Sequence, residues 1–159
     1  MEIRLIKARL DDAEALHRMQ VEAFMPLLRK YQDHAFSPAA EPLDRLVKKL
    51  DQPDADFYLI QRGDDLVGAI RVVVLSRGEQ CRISPVFILP AFQNQGLAQQ
   101  AIRWVEQLYQ PRHGWCLDTI LEEAGNCHLY EKLGFVRFGA ARPVLPGMHL
   151  VSYRKGVVA

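Results

Sequence analysis

The chain has 159 residues, 49% of them hydrophobic and 25% charged, and 20 Lys and Arg stand against 19 Asp and Glu for a formal net charge of +1. One domain of roughly 100–200 residues accounts for that length, and the composition excludes a disordered chain, which needs low hydrophobicity and high net charge. A balance this close to zero gives no field to hold nucleic acid by counterion release, or to hold an acidic membrane surface.

The longest apolar run, Pro85 to Phe92, is far short of the ~20 residues of a membrane span. No apolar stretch of signal-peptide length follows Met1, so the expectation is a cytoplasmic protein. Cys81, Cys116 and Cys127 form no C-x-x-C pair, and the histidines show no metal-ligand spacing. Neither a disulfide framework nor a metal site is expected.

Ile3 and Leu5 mark a first strand. Asp11, three residues before Glu14, reads as a capping box that opens a helix carrying Leu16, Met19, Ala23 and Phe24 on one face. Pro26 is expected to end or kink it. Tyr31 to Glu41 is polar and reads as a loop. Leu43, Leu46, Val47 and Leu50 then take helical spacing, with Pro42 at the first turn. Phe57 to Ile60 and Leu66 to Leu75 form a hairpin about Arg62-Gly63-Asp64-Asp65. A further strand runs from about Gln80 to Leu89, with a bulge expected at Pro85, which has no N–H to give a ladder.

Beyond Pro90, the residues Leu97, Ala101, Trp104, Val105 and Leu108 mark the longest clear amphipathic helix, which stops before Pro111. Trp115 to Ile120 is a short strand and Asn126 to Leu133 a short helix closed by Gly134. Val136 and Phe138 belong to one strand, Leu150 to Tyr153 to the last, and Arg142 to Gly147 connects them. Hairpin neighbours pair antiparallel. The strands on either side of the long helix pair parallel through a right-handed crossover.

Ile88 to Ala98 carries the chemistry: a strand, a tight loop and a helix start. Consecutive N–H groups there have no intrahelical partner and lie at the positive end of the helix dipole. Such an arrangement binds phosphate, and it also serves a loop that merely starts a helix. The P-loop, the dinucleotide fingerprint and the nucleophile elbow are absent.

Gln93-Asn94-Gln95-Gly96-Leu97-Ala98 resembles the Q/R-x-x-G-x-G/A motif of the GNAT superfamily of N-acetyltransferases. Asn126-Cys127-His128-Leu129-Tyr130-Glu131-Lys132-Leu133-Gly134-Phe135 is similar to a second segment of the same family. Together with the element order, the likeness covers essentially the whole chain. It implies a mixed α/β (α+β) fold across residues 1–159 as a single N-acetyltransferase domain. Its central mixed, mostly antiparallel sheet has six or seven strands, flanked by about four helices, and its fourth and fifth strands are parallel and splayed.

The resemblance implies acetyl-CoA as acyl donor, no metal, and direct acetyl transfer to a primary amine. A longer acyl-CoA, or a non-catalytic CoA-binding module, is the alternative. The implied cofactor-binding set is Phe87 and Ile88 (main chain, for the pantetheine arm), Gln93, Asn94, Gln95, Gly96, Leu97 and Ala98 (pyrophosphate), and Asn126. Tyr130 matches the general acid that protonates the leaving thiolate; otherwise it is a core-edge aromatic.

An amine of pKa near 10.4 must also lose a proton. Glu22, Glu79, Asp118 and Glu122 are candidates to help, with Asp118 and Glu122 favoured for acceptor contact. The loop at Tyr31-Gln32-Asp33 lies where family members cover the acceptor. The implied partner is a small-molecule or peptide amine, with a homodimer possible and neither nucleic acid nor membrane. One departure stands out: Gln93, Asn94 and Gln95 are neutral where many members carry Arg or Lys, leaving charge support to an outlying base such as Arg103.

Overall fold

The computed structural model describes residues 2–156. The elements are β1 (Arg4–Lys7), α1 (Ala13–Tyr31), α2 (Leu43–Leu50), β2 (Ala55–Arg62), β3 (Asp65–Leu75), β4 (Gln80–Ile88), α3 (Leu97–Tyr109), β5 (Trp115–Ile120), α4 (Ala124–Lys132), β6 (Val136–Leu145) and β7 (Met148–Lys155). The strands form one seven-stranded sheet in the order β1-β2-β3-β4-β5-β7-β6. Every neighbouring pair is antiparallel except β4 and β5.

Period-two alternation gives the sheet two apolar faces, and each is covered. Leu16 and Met19 of α1 and Leu46 of α2 pack with Phe57, Leu59, Ala69 and Phe87 on one face. Leu97, Ala101, Ile102 and Val105 of α3 and Cys127 and Tyr130 of α4 pack with Ile70, Val72, Leu117 and Tyr153 on the other. The interior strand β3 is buried without a break from Val67 to Val72, because both faces are roofed. Gly68 keeps that strand tight against β4, since a Cβ there would stand 2.1 Å from the Phe87 carbonyl oxygen.

The bulge expected at Pro85 is present. Ile70 pairs with Val86 and Val72 with Ile83, so Ser84 and Pro85 together oppose Arg71 alone. The buried Arg71 guanidinium holds this irregular backbone by donating to the Ser84 carbonyl at 3.1 Å.

Four local expectations are corrected. Helix α1 runs through Pro26 to Tyr31. The proline forfeits one turn bond, but Leu28 beyond it is buried at 8% exposure, and packing carries the helix on. Its end is set by Gln32, which turns left-handed at φ 58° and donates its N–H to Leu28. The cap at its start is not Asp11 with Glu14: Asp12 accepts from the Arg9 amide at 2.8 Å, and a single 3-10 turn leads into the helix. On α3 the buried stripe is Leu97, Ala101, Ile102 and Val105, while Trp104 and Leu108 face outward. Finally, Arg142 to Leu145 is strand rather than connector, with the register of β6 and β7 shifting about Gly139 to Ala141 and again after Pro143.

Candidate active site

Strands β4 and β5 are hydrogen-bonded only at Cys81 with Trp115 and Arg82 with Cys116. Beyond that point they part. The gap opens into a cleft of about 470 Å³ walled by Ile83–Val86 of β4 and Leu117–Ile120 of β5. Phe24 and Tyr31 of α1 and Asp33 of the following loop close one side; Asn126 and Tyr130 of α4 and Met148 of β7 close another. The expected splay is therefore present, and it brings Tyr31, Asp118, Asn126 and Tyr130 to one cavity.

Tyr130 is 7% exposed and lies edge-on to Phe135 at 6.0 Å and tilted to Tyr153 at 6.1 Å. These rings fix the phenol without a hydrogen bond to it among the described residues. Burial, with a smaller contribution from Cys127, pushes its pKa well above the ordinary phenol value. The group is thus a neutral O–H at the cleft wall, able to donate a proton.

Asp118 is heavily engaged. It accepts from the Ser152 hydroxyl at 2.6 Å and from Arg82 at 3.0 Å, and Arg142 stands 3.3 Å away. Burial alone would raise its pKa, but these three partners outweigh it and hold the carboxyl below its usual range. It is an anchor between strands and a poor proton acceptor.

Glu122 lies outside the cleft lining and takes both the backbone N–H (2.8 Å) and Nδ1 (2.6 Å) of His149, latching β7 to the start of α4. The other carboxylates named from the sequence also lie elsewhere. Glu22 faces an open groove on α1, and Glu79 pairs with Arg112 and His113. Glu123, off the cleft lining, joins Tyr31 at 2.5 Å and Lys30 at 2.7 Å.

The loop from β4 into α3 has the form expected of it. Asn94 and Gly96 both take positive φ, 63° and 74°, which turns successive N–H groups outward. None of the N–H groups of Asn94, Gln95 or Gly96 finds a backbone acceptor among the described residues, and those of Leu97 and Ala98 begin a helix. The space where a Gly96 side chain would project is open. These donors fit a pyrophosphate. Gln93 turns the other way, its Nε2 donating to the Ile88 carbonyl at 3.0 Å, so it braces the loop against the strand end. Phe87 and Ile88 are buried, paired on one side with Ala69 and Gly68 of β3.

One residue beside the loop had no signal in the sequence, and another was marked only by its place in the Tyr31-Gln32-Asp33 loop. Arg62, at the end of β2, reaches the Gln95 side-chain oxygen and stacks its guanidinium 5.4 Å from the Phe92 ring centre. It brings to the neutral loop the cation its own residues lack. Asp33 is buried at 6% exposure inside the cleft lining. The contact of Arg62 with Gln95 is made only by the fold.

The profile of the acetyltransferase (GNAT) family matches residues 14–135, a span containing both the loop and Tyr130. The chain belongs to that family. This GNAT protein is an acetyl-CoA-dependent acyltransferase. Solved structures share its fold at low identity. An acetyltransferase from Thermus thermophilus is 17% identical with a TM-score of 0.76, covering 99% of this chain and 98% of that one. The microcin C7 self-immunity acetyltransferase, solved with acetyl-CoA and AMP, is 18% identical with a TM-score of 0.75, covering 98% and 93%. The ribosomal-protein-S18-alanine N-acetyltransferase from Escherichia coli is 14% identical with a TM-score of 0.74, covering 99% and 97%. No curated protein matches the GNAT chain in sequence. Among the described residues no helix is long and apolar enough to cross a membrane, and no group of three or more His, Cys, Asp or Glu is placed to hold a metal.

Proposed function

We propose that residues 1–159 act as a single cytoplasmic domain that transfers the acetyl group of acetyl-CoA directly to a primary amine. One observation carries this reading: the only wall of the parted-strand cleft that offers a neutral, unpartnered O–H among the described tyrosines is Tyr130. Acetyl-CoA supplies an acyl carbon activated as a thioester. The new bond is C–N and the broken bond is C–S. The amine gives up its proton, the sulfur takes one, and an ammonium plus the thioester yield an amide, free CoA and one proton.

The chain's own residues divide the work. The N–H groups of residues 94–98 and the cation of Arg62 hold phosphate. The β5-facing edge of β4, left without a partner beyond Arg82, offers main-chain groups for the extended arm of the donor. Tyr130, kept protonated by burial, supplies the proton to the departing sulfur. Asn126, at the cleft edge of α4, borders the same space. A covalent route through Cys127 has no support, because that buried thiol points its Sγ at the carbonyls of Ile120 and Leu121, 3.8 and 3.7 Å away.

The test is acetyl-CoA turnover against a panel of primary amines, with Tyr130→Phe alongside. The expected result is turnover by the wild type and a kcat lower by about 10²-fold or more in the variant, with KM for acetyl-CoA unchanged. CoA binding without acetylation of any amine would identify a binding module instead.

A further inference from the structure

The cleft states what its acceptor looks like. Among the described residues, three charged side chains line it: Asp33, Arg82 and Asp118. Arg82 and Asp118 neutralise one another, and Asp118 is further occupied by Ser152 and Arg142. That leaves Asp33 as the one unpaired charge on the lining. It sits in the turn after α1, where its Oδ1 accepts from the Phe36 amide at 3.1 Å and its own carbonyl accepts from Ser37 at 3.1 Å. Oδ2 has no protein partner among the described residues, and it is not among the enclosed orphan atoms, of which Arg71 Nε is the sole described case. Oδ2 is thus not fully enclosed, and Asp33 is one of the residues that line the cleft. Most of the remaining lining is apolar, with Phe24, Leu27, Met148 and Leu150 among it, beside the polar Thr119 and Asn126.

An unpaired carboxylate in an apolar wall is complemented by a single cation on an apolar body. A polycation finds no second free carboxylate here. Glu122 is taken by His149, Glu123 by Lys30 and Tyr31, and Glu22 faces a different groove. The cleft volume of about 470 Å³ suits a compact ligand. We propose that the acceptor of this enzyme is a small, apolar primary monoamine whose ammonium is held by Asp33. The proposal rests on the transferase reading and extends it from reaction to substrate class.

The experiment is calorimetric titration of the CoA-loaded protein with 2-phenylethylamine, 2-phenylethanol, spermidine and a tripeptide with a free N-terminus. Phenylethylamine binds tightest, and the alcohol of the same shape binds about tenfold or more weakly, the weight of one charge-assisted contact. Asp33→Asn keeps an oxygen for the Phe36 amide and lowers phenylethylamine affinity by about tenfold, while its CoA affinity matches the wild type. If Asp33→Asn fails to bind CoA, the wild-type amine-to-alcohol ratio decides alone. The proposal is overturned if the variant binds phenylethylamine as the wild type does, if the alcohol equals the amine, or if spermidine or the peptide binds tighter. CoA binding with the wrong amine order sinks the acceptor assignment only; no CoA binding by the wild type sinks the transferase reading itself.

Discussion

Arg82 Nη2 lies 3.0 Å from Asp118 Oδ2, bridging β4 and β5 just where their pairing ends at Arg82 and Cys116. The sheet thus opens in a controlled way: a half-buried ion pair ties the strands at the root of the gap, and nothing ties them beyond it.

Removing one partner leaves the other charge half-buried. Asp118→Asn is expected to cost about 1–3 kcal/mol, read by urea unfolding at neutral pH. The effect is pH-dependent, since the folded carboxyl titrates below its unfolded value. Its contribution is complete above about pH 3.9, the unfolded value, and is lost as pH falls through the lower folded one. Wild type and Asp118→Asn should therefore differ in stability at pH 7, and the difference should shrink as pH falls below about 3.9.

Gly96 occupies left-handed backbone at φ 74° with open space beyond it. Gly96→Val therefore strains the loop without a clash, at about 1–2 kcal/mol. Steady-state kinetics should show KM for acetyl-CoA raised by about tenfold, while Gly96→Asn, which tolerates this conformation, stays within a few-fold of wild type.

Arg62 touches the loop through Gln95 and Phe92 rather than through a carboxylate. Arg62→Gln should raise KM for acetyl-CoA about 5–10-fold with kcat unchanged, and the gap should narrow as salt is added. Unchanged KM at low salt would remove Arg62 from the phosphate site.

Burial holds the Tyr130 phenol above its ordinary value of about 10. The wild-type kcat profile should accordingly show no alkaline fall below pH 10. A fall near pH 8–9 that vanishes in Tyr130→Phe would contradict an acid that stays protonated.

What the sequence made legible was local. The strand–loop–helix about Gly96 and the helix that carries Tyr130 are contiguous segments, and both fold as their residue spacing indicates. The bulge at Pro85 followed from a missing N–H. Contacts between distant segments were not legible. Nothing in the order of residues says that Arg62 meets Gln95, that His149 engages Glu122, or that Asp118 has three partners. Gln93 shares a motif with its neighbours, yet it turns inward because the Ile88 carbonyl is within reach. Pro26 and Trp104 mislead for a related reason: packing against the sheet, not local propensity, decides where α1 stops and which stripe of α3 is buried.

A donor lying along the unpaired edge of β4, with its phosphates on the loop amides, must shield those amides from solvent. Amide hydrogen exchange with and without CoA tests this residue by residue. New protection is expected at Asn94 to Ala98 and along Ile83 to Ile88, with β1 and β2 unaffected. Protection confined to other segments, or none at saturating CoA, would contradict it.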